Sequence, residues 1–265
     1  MVSIIVSALP PYSAARTDVL RLPGGRTERD ELAVEEPLEI RVNGDAVAVT
    51  MRTPGNDEEL AIGFLRSEGI PAVAAQATAD LAANTIEVEV EGDVDLEPLR
   101  RNFYTTSSCG VCGKGALEAV AVEAPRVESE LTLPARVVSE LPARLREAQP
   151  TFAATGGLHA TGLFAADGTV ICVREDVGRH NAFDKVVGRA FLDGLLPVAD
   201  KVVCVSGRLS FELVQKAAVA GAPLVVAVGA PSTLAVELAR DRGITLCGFV
   251  RDGRVNVYSE QWRVI

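Results

Sequence analysis

The residues best suited to chemistry lie in one run: Thr105-Thr106-Ser107-Ser108-Cys109-Gly110-Val111-Cys112-Gly113-Lys114. Its small residues and glycines cannot build a packed core, so it reads as a loop that presents both thiols. Nucleophilic sulfur must be a thiolate. Lys114, with a helix starting near Ala116, would lower a nearby thiol pKa. Half of a structural zinc site is the competing reading. Tetrahedral zinc needs a fuller ligand set, and no second Cys-x-x-Cys is present. The other cysteines, Cys172, Cys204 and Cys247, sit singly in apolar, strand-like runs. Reduced thiols packed as small hydrophobes have this pattern. An odd total of five cysteines argues against a secreted disulfide framework.

Four further loops collect polar groups. Thr155-Gly156-Gly157-Leu158-His159 places a glycine pair, which admits a ligand close to the backbone, before a strand that begins at His159. A lone histidine there is more often a hydrogen-bonded structural residue. Arg174-Glu175-Asp176-Val177-Gly178-Arg179-His180-Asn181-Ala182-Phe183-Asp184-Lys185 joins a strand to a helix, and loops of that kind face the ligand side of α/β sheets. Both histidines of the chain, His159 and His180, fall in these two loops. Ser206-Gly207-Arg208-Leu209-Ser210 opens a helix after a strand and suits phosphate, although helix caps look much the same. Phe249-Val250-Arg251-Asp252-Gly253-Arg254 offers two arginines and an aromatic ring to a nucleotide, or equally a surface hairpin turn.

Elements that would position these loops follow from periodicity. Residues 37–52 alternate around Asn43-Gly44, which predicts a hairpin with a type I′ turn. Asn56 before Asp57-Glu58-Glu59 predicts a helix closed by a capping box. Residues 134–148 predict a linking helix that Pro142 kinks or splits. From residue 158 onward the pattern gives a hairpin and then strand-helix-strand-helix-strand, which implies parallel strands with helices on the faces. The organisation expected is a tail over residues 1–26, an α+β domain over 27–130 ending in the cysteine loop, and an α/β domain over 131–265.

A chain of 265 residues, 48% hydrophobic, can bury one large core or two modest ones. The longest apolar stretches are strand-length, so no membrane insertion is expected. Residues 1–9 read as a tail or edge strand rather than a signal peptide. The formal net charge of −10 disfavours nucleic acid and anionic membrane, so an anionic ligand requires a locally basic pocket. The chain is expected to be soluble and cytoplasmic.

Taken together, these segments resemble the FdhD family, the formate dehydrogenase accessory sulfurtransferases. The resemblance is carried by Ser107 to Gly113, Thr155 to His159, Arg174 to Lys185, Ser206 to Glu212 and Gly248 to Arg251, in family order; residues 1 to about 26 lie outside it. It implies sulfur transfer from a cysteine desulfurase to a molybdenum cofactor carrying two guanine dinucleotides, which is then inserted in a formate dehydrogenase. Cys109 would carry the persulfide, with Cys112 as its partner. The cofactor is bound as a substrate, and no permanent metal is expected. Phe249, Val250, Arg251, Asp252, Gly253 and Arg254 would line the nucleotide site. Gly157, His159, Arg179, His180, Lys185, Ser206, Gly207 and Arg208 would complete the binding surface. A homodimer is the expected assembly. The implied fold is an α/β, cytidine-deaminase-like three-layer C-terminal domain with a mostly parallel sheet, beside a smaller α+β N-terminal domain. The His-x-Glu and Pro-Cys-x-x-Cys of zinc deaminases are absent, so deaminase chemistry is not implied. Two other readings are a dithiol oxidoreductase cycling Cys109 and Cys112 through a disulfide, and a zinc-stapled nucleotide-binding regulatory module.

Overall fold

The computed structural model describes residues 12–78, 84–96, 99 and 122–265. The cysteine loop, with Cys109 and Cys112, lies outside them. Strands β1 (Ala14–Arg21) and β2 (Arg26–Ala33) pair with each other as an antiparallel ribbon. The tail boundary expected at residue 26 therefore falls inside a hairpin, because Leu22 to Gly25 turn the chain back on itself.

Strands β3 (Glu36–Val42) and β4 (Asp45–Arg52) form the expected hairpin. Asn43 and Gly44 have φ of 54° and 81°, as the predicted turn requires. With β5 (Ala72–Ala77) and β6 (Thr85–Val90) they make a four-stranded sheet in the order β4-β3-β6-β5. Leu38, Ile40 and Val42 alternate inward on β3 and pack on Leu60, Ile62 and Leu65 of helix α1 (Asp57–Ser67).

The capping box expected at α1 does not form. Asn56 adopts a left-handed conformation and its side chain makes no cap hydrogen bond. Glu59 is turned inward and accepts from Arg174 Nη2 at 2.7 Å. A buried, bidentate ion pair takes the carboxylate that a surface cap would have used.

Helix α2 (Ala135–Glu147) runs through Pro142 as one helix, and α3 (Pro150–Thr155) follows at once. The second sheet has six strands, β7 (His159–Phe164), β8 (Val170–Asp176), β9 (Val202–Val205), β10 (Leu224–Ala227), β11 (Thr245–Arg251) and β12 (Arg254–Ser259), in the order β12-β11-β10-β9-β7-β8. Parallel β9, β10 and β11 are joined through α5 (Phe211–Val219) and α6 (Thr233–Arg242), as the pattern predicted. The sheet is mixed rather than mostly parallel. β7 runs antiparallel to β8 and β9, and β12 antiparallel to β11. Tight turns at 165–169 and at Asp252-Gly253 cause this, since a short turn joins only antiparallel strands.

The two halves are interlocked. Helix α4 (Arg179–Leu192) crosses α1 with backbone touching backbone. A Cβ added to Gly63 would lie 1.8 Å from Asp184 O, and one added to Gly188 would lie 1.9 Å from Glu59 O. The chain has also rejoined the second half before residue 130. Ala124 and Val127 enter the core beneath β9 and β10, and Val127 N–H donates to Arg242 O at 2.7 Å. Among the described residues no helix is long and apolar enough to cross a membrane.

Candidate functional site

The candidate site lies where β9, β10 and β11 end and β7 begins, the place where α/β sheets bind ligands. Backbone hydrogen bonds stitch these loops together. Ser206 N–H donates to Ala160 O at 2.9 Å, Gly229 N–H to Gly207 O at 3.0 Å and Phe249 N–H to Gly229 O at 3.1 Å. A Cβ on Gly229 would lie 2.8 Å from Gly207 O, so this seam admits only glycine there.

Two histidines meet the seam in different surroundings. Gly207 lies against the His159 ring and the Arg179 stem. Burial, and then the positive charge of Arg179, hold His159 below the ordinary imidazole pKa. His180 Nε2 lies 2.8 Å from Glu212 Oε2 and 3.3 Å from Ser210 Oγ. That contact with His180 holds the Glu212 carboxyl below its usual range. Arg179 Nε is buried with no hydrogen-bond partner among the described residues.

A cleft of about 450 Å³ opens beside the seam. Arg146, Gln149 and Phe152 from the α2–α3 junction form one side, and His159, Ser206 and Val228 the other. Its volume is typical of small-molecule and cofactor sites. Arg146, Arg179 and Arg208 have no carboxylate in ion-pair range among the described residues, so positive charge gathers here in an acidic chain.

The residues expected from sequence divide into three groups. Gly157, His159 and Ser206 line the cleft, while Gly207, Arg179, His180 and Arg208 adjoin it. Lys185 lies apart from this cleft and lines a neighbouring one with Thr53 and Glu175. It is 1% exposed, with Nζ 2.7 Å from Asp176 Oδ2 and donating to Thr53 O at 2.9 Å. Its charge is neutralised in the joint between the halves. The stretch 249–254 is a hairpin tip. A register shift between Gly248 and Arg251 turns Phe249 outward at φ 53°. Val250 is fully buried in the core with Cys247. Arg251, Asp252, Gly253 and Arg254 are exposed at the turn.

Sequence reading missed Arg146, Gln149 and Phe152, which fall in what reads as a linking helix and its end. It left Glu212 without a role, although Glu212 sits in the quoted Ser206 to Glu212 run. The described residues that flank the segment bearing Cys109 and Cys112 are Leu99, packed in the four-stranded core, and Val122, whose N–H donates to Gln215 Oε1 at 3.0 Å. Gln215 follows Glu212 by three positions on α5, one turn of the helix. The remaining cysteines are packed against the sheet cores. Burial raises the Cys204 thiol, the Cys247 thiol to about 12 and the Cys172 thiol to about 11.

Residues 33–265 match the model of the FdhD/NarQ family. A sulfur carrier protein FdhD from Streptomyces avermitilis is 50% identical over 268 residues, covering 94% of this chain and 95% of that protein. One from Mycobacterium tuberculosis is 47% identical over 277 residues, covering 96% and 99%. A crystal structure described as a formate dehydrogenase accessory protein, from Desulfotalea psychrophila, superposes with a TM-score of 0.72 over 95% of this chain and 98% of that one. Its sequence identity is 24%, so that likeness is one of fold. Matched over almost all of its described length, and about half identical to relatives of which it covers 95% and 99%, this chain belongs to the FdhD/NarQ family.

Proposed function

We propose that the protein is a cytoplasmic sulfur carrier that takes sulfur from a cysteine desulfurase onto Cys109 and passes it to a molybdenum cofactor bearing two guanine dinucleotides, for use by a formate dehydrogenase. One observation carries this reading. The three cysteines among the described residues are packed into sheets with their thiols pushed out of the thiolate range. Sulfur chemistry is left to Cys109 and Cys112, the pair in the Gly-flanked loop.

In the loading step the Cys109 thiolate attacks the terminal sulfur of the desulfurase persulfide. A new S–S bond forms, the old one breaks, and the desulfurase cysteine leaves as a thiolate. The cofactor is a polyanionic substrate, and Arg179 and Arg208 beside the cleft are the cations suited to its phosphates. His159 would add a hydrogen bond.

Complementation tests the assignment. In cells lacking their own copy, Cys109→Ala should abolish formate dehydrogenase activity. A variant with Cys172→Ala, Cys204→Ala and Cys247→Val should retain it wherever the protein accumulates. Full activity with Cys109→Ala refutes the role. Loss of activity with Cys112→Ser as complete as with Cys109→Ala would instead favour the dithiol oxidoreductase.

A further inference from the structure

Gln149 is buried, at 3% exposure, and lines the cleft. Its main chain is satisfied, since its N–H donates to Arg146 O at 3.3 Å and its carbonyl accepts from Ala153 N–H at 3.0 Å. Its carboxamide hydrogen-bonds to none of the described residues. The side chain is packed in, but its polar end is left to whatever occupies the cleft.

The fold does not need a glutamine there. Gln149 is the N-cap residue of α3, yet its side chain makes no cap hydrogen bond. Glu175 does that work from β8. Its carboxylate accepts from Thr151 N–H at 2.9 Å and from Phe152 N–H at 2.7 Å. Relieved of capping, the carboxamide keeps one donor and one acceptor side for whatever enters the cleft. Phe152 stands beside it with the Arg146 guanidinium 4.0 Å above the ring centroid. Together they make a flat cationic and aromatic wall, on which planar rings stack well.

We propose that Gln149, set against the Arg146–Phe152 wall, is a specificity-determining residue that pairs with the cyclic amide edge of a planar heterocycle. An amide edge presents N–H beside C=O, the complement of a carboxamide. Both a guanine and a pterin carry it. The inference rests on the cofactor-binding reading above and deepens it, because it assigns ring recognition to the α2–α3 junction rather than to the hairpin tip at 249–254.

The test is calorimetric titration of the full chain with GDP and, separately, with 6-carboxypterin. Wild-type protein should bind at least one probe. Gln149→Met should weaken that probe about ten-fold or more, as expected when a hydrogen-bonding partner is removed from a desolvated site. If GDP is the probe weakened, the cleft holds a guanine; if the pterin, it holds the pterin end. Equal affinities for wild type and Gln149→Met, or no binding of either probe by wild type, overturn the proposal. Should circular dichroism show that Gln149→Met does not fold, Arg146→Ala at its exposed position decides, and unchanged affinity there overturns it too. Desulfurase-dependent sulfur loading, measured on the same proteins, should be unaffected. Its loss from the wild type would be a failure of the carrier reading, not of this one.

Discussion

At the scale of single residues, Asp176 organises the most polar motif of the chain from inside the fold. Asp176 is fully buried, accepts hydrogen bonds from Thr53 N–H, Gly178 N–H and Asn181 Nδ2, and forms an ion pair with Lys185 Nζ at 2.7 Å. It fixes the turn from which Arg179 and His180 project, and docks that turn on the loop after β4. Lys185 supplies the compensating charge. Lys185→Met should therefore destabilise the protein by about 3–5 kcal/mol, because it leaves a buried carboxylate uncompensated. Arg208→Ala, at an exposed position without an ion pair, should change stability by less than about 0.5 kcal/mol. Urea denaturation of the two variants measures this. Equal, small effects would mean that Lys185 is not a structural partner of Asp176.

At the scale of elements, the crossing of α1 and α4 is the joint on which the site depends. Gly63 and Gly188 face each other's helix backbones at distances that admit no side chain. Gly63→Ala should cost about 3 kcal/mol or more, beyond ordinary overpacking, since the obstacle is main chain and cannot rotate away. Thermal unfolding should show Gly63→Ala far less stable than wild type. Little change in melting temperature would show that the helices can separate freely. Much of this level was legible in the sequence. Asn43-Gly44 announced its turn, and the alternation of apolar runs announced β9 to β11 with α5 and α6. What was hidden depends on contacts distant in sequence. Glu59 reads locally as a capping residue until Arg174, on β8, is brought to it. Lys185 reads as a ligand cation until Asp176 is known to be buried beside it. Gln149 looks like a linker residue, because the capping role it surrenders is taken by Glu175 from another strand.

At the scale of the molecule, two functions meet on one scaffold. The cleft rests on the C-terminal sheet. The described residues on either side of the cysteine segment are Leu99, in the N-terminal core, and Val122, which is bonded to Gln215 of α5, one turn from Glu212. The interlocked helices join the two halves that hold Leu99 and Val122; on the proposed function, one frame would present both sulfur and substrate. The central claim is that Cys109 is where the sulfur resides. Its most direct test is mass spectrometry of the protein after incubation with a cysteine desulfurase and cysteine. The account predicts one added sulfur, about 32 Da, on the peptide containing Cys109, and none on peptides containing Cys172, Cys204 or Cys247. Loading of Cys109→Ser to the same extent as wild type would contradict it.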